Sequence, residues 1–136
     1  MTAITSETCG PRLRSDRLLR LALRIDAVCS GVSGVALAAA ANWLAAPSGL
    51  PLSVEYVLAA FLVAYAVGVW YVSTVPSVRR PGIAVVVGNL VFTVAAVLVV
   101  LEGVWPLTAT GVTLLIISAV YTLAMADLQY LGVRRA

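Results

Sequence analysis

The sequence predicts an all-α integral membrane protein built as an up-and-down bundle of four helices. Of its 136 residues, 62% are hydrophobic and only 11% are charged, and the mean hydropathy is +1.04. These values lie outside the range of soluble globular domains. The apolar residues form four stretches that can each cross a bilayer, which takes about 20 helical residues. Short connections should make consecutive helices antiparallel neighbours within a single membrane domain, residues 1–136.

Prolines separate the four predicted spans, and every proline falls outside their apolar cores. The spans cover about residues 21–44, 54–72, 83–101 and 107–130. Span one, which follows a basic tail at residues 1–17, ends before Pro47, because proline interrupts a helix. Span two begins after Pro51. Span three begins just after Pro81, a residue suited to a first helical turn, and span four follows Pro106. No predicted span is broken by a proline, and the only acidic residue within span one lies beside an arginine, near the inner face. Both features argue against proton-coupled export, because transporters commonly build their sites at broken helices.

Arginines predict the orientation of the bundle. All nine basic residues are arginines, and they lie before or at the start of span one, between spans two and three, and after span four. They are Arg12, Arg14, Arg17, Arg20, Arg24, Arg79, Arg80, Arg134 and Arg135. The other two connections carry only Glu55 and Glu102 near their ends. Since arginine-rich connections stay in the cytoplasm, both termini are expected on the cytoplasmic side of the inner (plasma) membrane.

Five of these arginines are candidate contacts for anionic lipid headgroups. Arg17, Arg20 and Arg24 are spaced i, i+3, i+7 and therefore share one helix face. Arg79 and Arg80 are predicted on the same side of the membrane. Each juxtamembrane arginine contributes roughly 1 kcal/mol of attraction to anionic lipid. The alternative is that these arginines only anchor the helices in a fixed orientation in the membrane. Nucleic acid is not an expected partner.

Small residues recur every four positions in spans one and two. They are Ser30, Gly34 and Ala38 in span one and Ala60, Ala64 and Gly68 in span two. In lipid there is no hydrophobic force between helices, so close packing through small residues drives their association. The pattern predicts that these faces pack together inside the bundle. A seam between copies of the chain, or with a larger membrane partner, is the alternative.

Asp26, Asn89 and Asp127 form a candidate polar pocket in the cytoplasmic third of the spans. A carboxylate in a membrane normally faces the bundle or a water-filled cavity and finds a partner. Arg79 and Arg80 are the candidate partners. The three polar groups could form a hydrogen-bonded cluster that ties the helices together, or a pocket for a ligand or a proton. A cavity reaching Asp26 would favour the pocket, whereas a filled core would favour a structural role.

Catalysis and cofactor binding have little support in the sequence. There is no histidine, which is the commonest general base and metal ligand. No CxxC, GxSxG, HExxH or P-loop spacing occurs. Cys9 and Cys29 are predicted on or near the cytoplasmic side, where thiols stay reduced. We therefore expect no enzymatic activity, no cofactor and no metal site.

The chain shares three features with a group of known proteins. They are the sequence LRLALRIDAV at residues 19–28, the Ala/Val-rich composition and the basic tail. The chain resembles small four-helix integral membrane proteins of actinobacteria over its whole length. This resemblance implies a four-helix fold in the cell membrane and brings no activity with it. The leading hypothesis is a non-enzymatic scaffold or accessory subunit that acts through helix packing. The alternative is a small-molecule or lipid carrier with a cytoplasm-facing polar pocket.

Overall fold

The computed structural model describes residues 2–136, with side chains from Asp16 onward. The helices are α1 (Thr2–Ser48), α2 (Leu52–Thr74), α3 (Arg79–Glu102) and α4 (Ala109–Arg135). Each is long and apolar enough to cross a membrane, and residues 2–136 contain no strand. The prediction of an all-α chain with four such helices is confirmed.

Local signals explain where α1 and α3 end and where α4 begins. Gly49 follows α1 with a φ of 78° and donates its N–H to the Ala45 carbonyl at 3.1 Å, a left-handed cap that favours glycine. Gly103, with a φ of 60°, ends α3 in the same conformation. Thr108 caps α4 by accepting a hydrogen bond from the Gly111 N–H at 3.2 Å, as threonine commonly does at this position.

Leu19 brings α1, α3 and α4 together at one end of the bundle. Its side chain is completely buried and lies against Gly82 of α3. A Cβ atom added to Gly132 of α4 would lie 2.9 Å from the Leu19 Cα. Larger side chains at these glycines would push the helices apart, so their small size sets the close approach.

Arg20 joins the end of α2 to the same region. Its guanidinium donates hydrogen bonds to the carbonyl oxygens of Ser73 at 2.7 Å and Pro76 at 3.1 Å. The arginines that have described side chains therefore gather at one end, which we call the arginine end. They are Arg17, Arg20, Arg24, Arg79, Arg80, Arg134 and Arg135.

Ser48 organises the opposite end, called the far end, which contains the α1–α2 and α3–α4 connections. Its hydroxyl donates to Glu55 Oε1 at 2.7 Å, and its carbonyl accepts from the Thr108 N–H at 3.2 Å. Gly111 passes so close to this carbonyl that an added Cβ would overlap it. The two hairpins of the bundle are thus connected at both ends.

Helices α1 and α2 meet through a face of α2 that differs from the predicted one. A Cβ on buried Gly34 would lie 3.0 Å from the Ala59 carbonyl oxygen, and one on Gly31 would lie 3.3 Å from the Ala66 Cβ. Ala59 and Ala66 are buried. Ser30 is also buried, but the predicted partners Ala60, Ala64 and Gly68 are exposed, as is Ala38. Ala60 lies one residue, or about 100° of rotation, from buried Ala59 on a helix of 3.6 residues per turn, so the three small residues of α2 lie outside the packing face.

The outward faces of all four helices carry large apolar side chains. Examples are Val32, Val67, Tyr71, Val91, Leu101 and Val120, each more than half exposed. Such extensive apolar exposure is rare on soluble monomers and suits a lipid surround, so it agrees with a multi-pass membrane protein. Helix α1 packs against α2 and α4, and α3 packs against α4, while α2 and α3 touch only sparsely. A cleft therefore separates α2 from α3.

Candidate functional site

Asp26 of α1 is completely buried and accepts hydrogen bonds from the other three helices. Its Oδ2 accepts from the Tyr65 hydroxyl of α2 at 2.8 Å. The same oxygen accepts from Gln129 Nε2 of α4 at 2.8 Å and from Asn89 Nδ2 of α3 at 3.1 Å. One carboxylate thus connects all four helices within the apolar part of the bundle.

The second carboxylate oxygen of Asp26 is also fully occupied. Its Oδ1 accepts from the Tyr121 hydroxyl at 3.1 Å and from the Ser30 hydroxyl at 3.3 Å. Both oxygens of the Asp26 carboxyl therefore serve as hydrogen-bond acceptors within the bundle.

A second set of bonds closes this cluster, which we call the Asp26 network. Asn89 Nδ2 donates to Gln129 Oε1 at 2.9 Å, and Asn89 Oδ1 lies 3.1 Å from the Tyr65 hydroxyl. Among the described residues, every buried side-chain nitrogen or oxygen has a hydrogen-bond partner. Interhelical hydrogen bonds in membrane proteins contribute about 0.6 kcal/mol each on average, so the network stabilises the bundle through several modest terms.

The structure brings together two of the three residues predicted for a polar pocket. Asp26 and Asn89 are in direct contact, but Asp127 is exposed on the outside of α4. Gln129 occupies the place expected for Asp127. Two residues correspond to about 200° of rotation around a helix, so the two side chains point in nearly opposite directions. The sequence does show Gln129 as an amide within an apolar helix, but it does not show that this side chain points towards Asp26.

The predicted arginine partners do not contact Asp26. Arg79 and Arg80 are exposed at the start of α3, and the side chains that hold the carboxylate are all uncharged. Arg24 instead places its guanidinium 5.7 Å from the centroid of the Trp70 ring. Arg17 and Arg24 are exposed, whereas Arg20 is half-buried and holds the end of α2. Four of the five lipid-contact candidates therefore have exposed side chains.

A cavity of about 350 Å³ lies beside the Asp26 network, and residues of all four helices, including α2 and α3, line it. Its polar end is formed by Ser30, Tyr65, Asn89 and Tyr121, while Asp26 itself does not line it. Its apolar walls include Phe61, Leu62, Phe92 and Ile117. Small-molecule sites commonly have about 300–1,000 Å³ and this combination of apolar walls with a few polar groups. The cavity thus reaches the direct partners of Asp26 and stops one side chain short of the carboxylate.

A second cavity of about 240 Å³ continues towards the far end. Glu55, which is only 1% exposed, lines it together with Ser48. The two cavities share four wall residues, which are Ser33, Leu62, Phe92 and Ser118. The cleft therefore extends from the Asp26 network towards the buried carboxyl of Glu55.

The site offers hydrogen bonds and apolar surface rather than a clustered set of metal-binding side chains. Among the described residues, no group of three or more His, Cys, Asp or Glu side chains could hold a metal ion. Cys29 is a free, exposed thiol at the edge of the first cavity. No protein-family model, curated protein or solved structure matches this chain.

Proposed function

We propose that this chain is a non-enzymatic membrane protein that binds a small, largely apolar molecule in the cleft between α2 and α3. The observation that carries the proposal is the cavity of about 350 Å³, with apolar walls and the Asp26 network at one end. This function corresponds to the carrier hypothesis, with Tyr65, Asn89 and Tyr121 as the polar contacts. In the orientation that the arginines predict, the polar end lies nearer the cytoplasm.

Two features of the cleft suit binding from the lipid phase. We infer that the sparse contact between α2 and α3 provides a lateral opening, through which an apolar molecule would enter without crossing water. The tyrosine hydroxyls at the polar end are held in place by Asp26. Groups that are fixed before binding lose less conformational entropy when a ligand arrives, which favours affinity.

Two glycines provide a matched test of the cleft. Gly88 of α3 lines the cavity, whereas Gly68 of α2 lines neither cavity. A Cβ atom at either position would meet nothing within 4 Å, so leucine can be introduced at both without a clash of its Cβ. Each change removes a mid-helix glycine and should gain about 1 kcal/mol of helix propensity. The two variants differ in whether the new side chain fills the cleft.

The experiment is native mass spectrometry of the protein in lipid nanodiscs. Wild type and Gly68→Leu should retain the same small-molecule adduct, and Gly88→Leu should lose it because its side chain occupies the site. Wild type without any adduct, or an adduct that Gly88→Leu retains in full, would refute binding in this cleft.

A scaffold role is the second candidate, and it is supported by the outward position of Ala60, Ala64 and Gly68. These small side chains leave a face of α2 on which another helix could approach closely. If copies of the chain, or a larger partner, dock there, Gly68→Leu should reduce the mass of the complex while Gly88→Leu leaves it unchanged. In either function, anionic headgroups are proposed to contact the exposed Arg17, Arg24, Arg79 and Arg80.

A further inference from the structure

We propose that the cleft selects a molecule whose polar group is a positively charged hydrogen-bond donor, as in a lipophilic amine. This inference rests on the proposed binding function of the cleft and names the chemical class of its ligand. Two independent observations carry it: the direction of the hydrogen bonds in the Asp26 network, and the sign of the charges around the cleft.

The tyrosine hydroxyls at the polar end present acceptors to the cavity. Each hydroxyl has one proton. Tyr121 directs its proton at Asp26, and Tyr65 directs its proton at Asp26 or at Asn89 Oδ1, so neither proton is directed at the cavity. What remains on each oxygen towards the cavity is lone-pair density. Donation to a carboxylate also polarises a hydroxyl and strengthens it as an acceptor. A ligand that donates a hydrogen bond is therefore preferred here.

The amide of Asn89 reinforces this preference. Its two Nδ2 protons are directed at Asp26 Oδ2 and Gln129 Oε1, so neither is directed at a ligand. Ser30 likewise gives its only proton to Asp26. A ligand whose polar group is only an acceptor, such as a ketone or an ester, would find no free proton on Ser30, Tyr65, Asn89 or Tyr121.

Both ends of the cleft carry an acidic side chain. Asp26 lies behind the tyrosines, and Glu55 lines the opposite end. Arg20 and Arg24, the described arginines nearest in sequence to Asp26, are engaged with backbone carbonyls and with Trp70. Among the residues with described side chains, no arginine lines either cavity. A charge within a membrane is normally compensated by a partner, and a cationic ligand would supply that partner for Asp26.

Aromatic rings in the wall add a further attraction for a cation. Phe61 and Tyr65 are stacked with their centroids 6.1 Å apart, and both line the cavity beside the network. Phe92 lines it from α3. Ring faces attract cations, and this attraction grows when the cation is desolvated, as it would be in an apolar cleft.

The test compares two aromatic probes of nearly equal shape, naphthylmethylamine, which is a cation at neutral pH, and uncharged naphthylmethanol. Equilibrium dialysis against protein-containing nanodiscs, with empty nanodiscs of the same lipid subtracted, gives the affinity of each. We expect the amine to bind at least about tenfold more tightly than the alcohol, which is the size of effect that a hydrogen bond to a charged group gives.

Two pairs of variants assign this preference to the Asp26 network. Asp26→Asn should reduce the preference to near onefold, whereas Asp127→Asn makes the same change on the outside of α4 and should leave it intact. Tyr121→Phe removes one hydroxyl between the carboxylate and the cavity and should also weaken the preference. Tyr130→Phe, its exposed counterpart on α4, should not. If Asp26→Asn does not fold, the comparison of Tyr121→Phe with Tyr130→Phe decides whether the network causes the preference.

The outcomes separate this inference from the function on which it rests. If both probes bind equally and Gly88→Leu abolishes the binding of both, the proposed cationic class of ligand is wrong, but the cleft is still a binding site. An amine preference that persists in Asp26→Asn and Tyr121→Phe would overturn the role of the network. Binding of neither probe, together with no adduct in wild type, would overturn the binding function itself.

Discussion

Gln129 Nε2 lies 2.8 Å from Oδ2 of Asp26, and both side chains are completely buried although 103 residues separate them in the chain. This contact joins α4 to α1 near the arginine end. Asp127, two residues earlier on α4, is exposed and takes no part in the network.

Gln129→Leu should therefore destabilise the bundle more than a charge-neutralising change at Asp127. The leucine keeps the volume approximately, but it removes a donor to Asp26 and an acceptor for Asn89, which should lower the free energy of unfolding by about 1–3 kcal/mol. Reversible unfolding in mixed detergent micelles, followed by circular dichroism, measures the change. Asp127→Asn is the control and should have the same free energy of unfolding as wild type. Equal stabilities of Gln129→Leu and wild type would contradict a structural contribution of this contact.

Gly34→Ile should separate α1 from α2. Its Cβ alone would lie 2.9 Å from Val63 Cγ2 and 3.0 Å from the Ala59 carbonyl oxygen, and overpacking of this kind costs about 1–3 kcal/mol. The same micelle unfolding experiment measures the loss. Ala64→Ile places the same side chain on the exposed face of α2 and should preserve the stability of the single chain. If both variants are equally destabilised, the packing face of α2 assigned here is wrong.

The arginine end should lie in the cytoplasm. Green fluorescent protein fused after Ala136 should fluoresce, and alkaline phosphatase fused there should be inactive, because that enzyme needs the oxidising environment outside to form its disulfides. A phosphatase inserted at Gly103, in the far-end connection, should be active. The opposite pattern at both positions would reverse the orientation predicted from the arginines.

The arrangement of small and polar residues shows where reasoning from the sequence reaches its limit. Gly34, a predicted packing residue, does lie against α2, yet its neighbours there are Ala59, Leu62 and Val63 rather than the residues of the four-residue repeat. In a soluble bundle, apolar periodicity would indicate the buried face. Lipid-facing and buried positions of these helices are both apolar, so hydropathy does not distinguish them.

Local sequence patterns predict the number of helices, the approximate ends of α2, α3 and α4 and the gathering of arginines at one end, whereas α1 begins at Thr2, well before the predicted start of span one at residue 21. These features depend on local properties: a run of apolar residues long enough for a bilayer, prolines and glycines at its ends, and charges beside it. The packing of the helices was needed to show that a cleft lies between α2 and α3 and that four side chains hold Asp26, namely Tyr65, Asn89, Tyr121 and Gln129. Those contacts join residues far apart in the chain, and they depend on the rotation and spacing of packed helices, which a one-dimensional pattern does not specify.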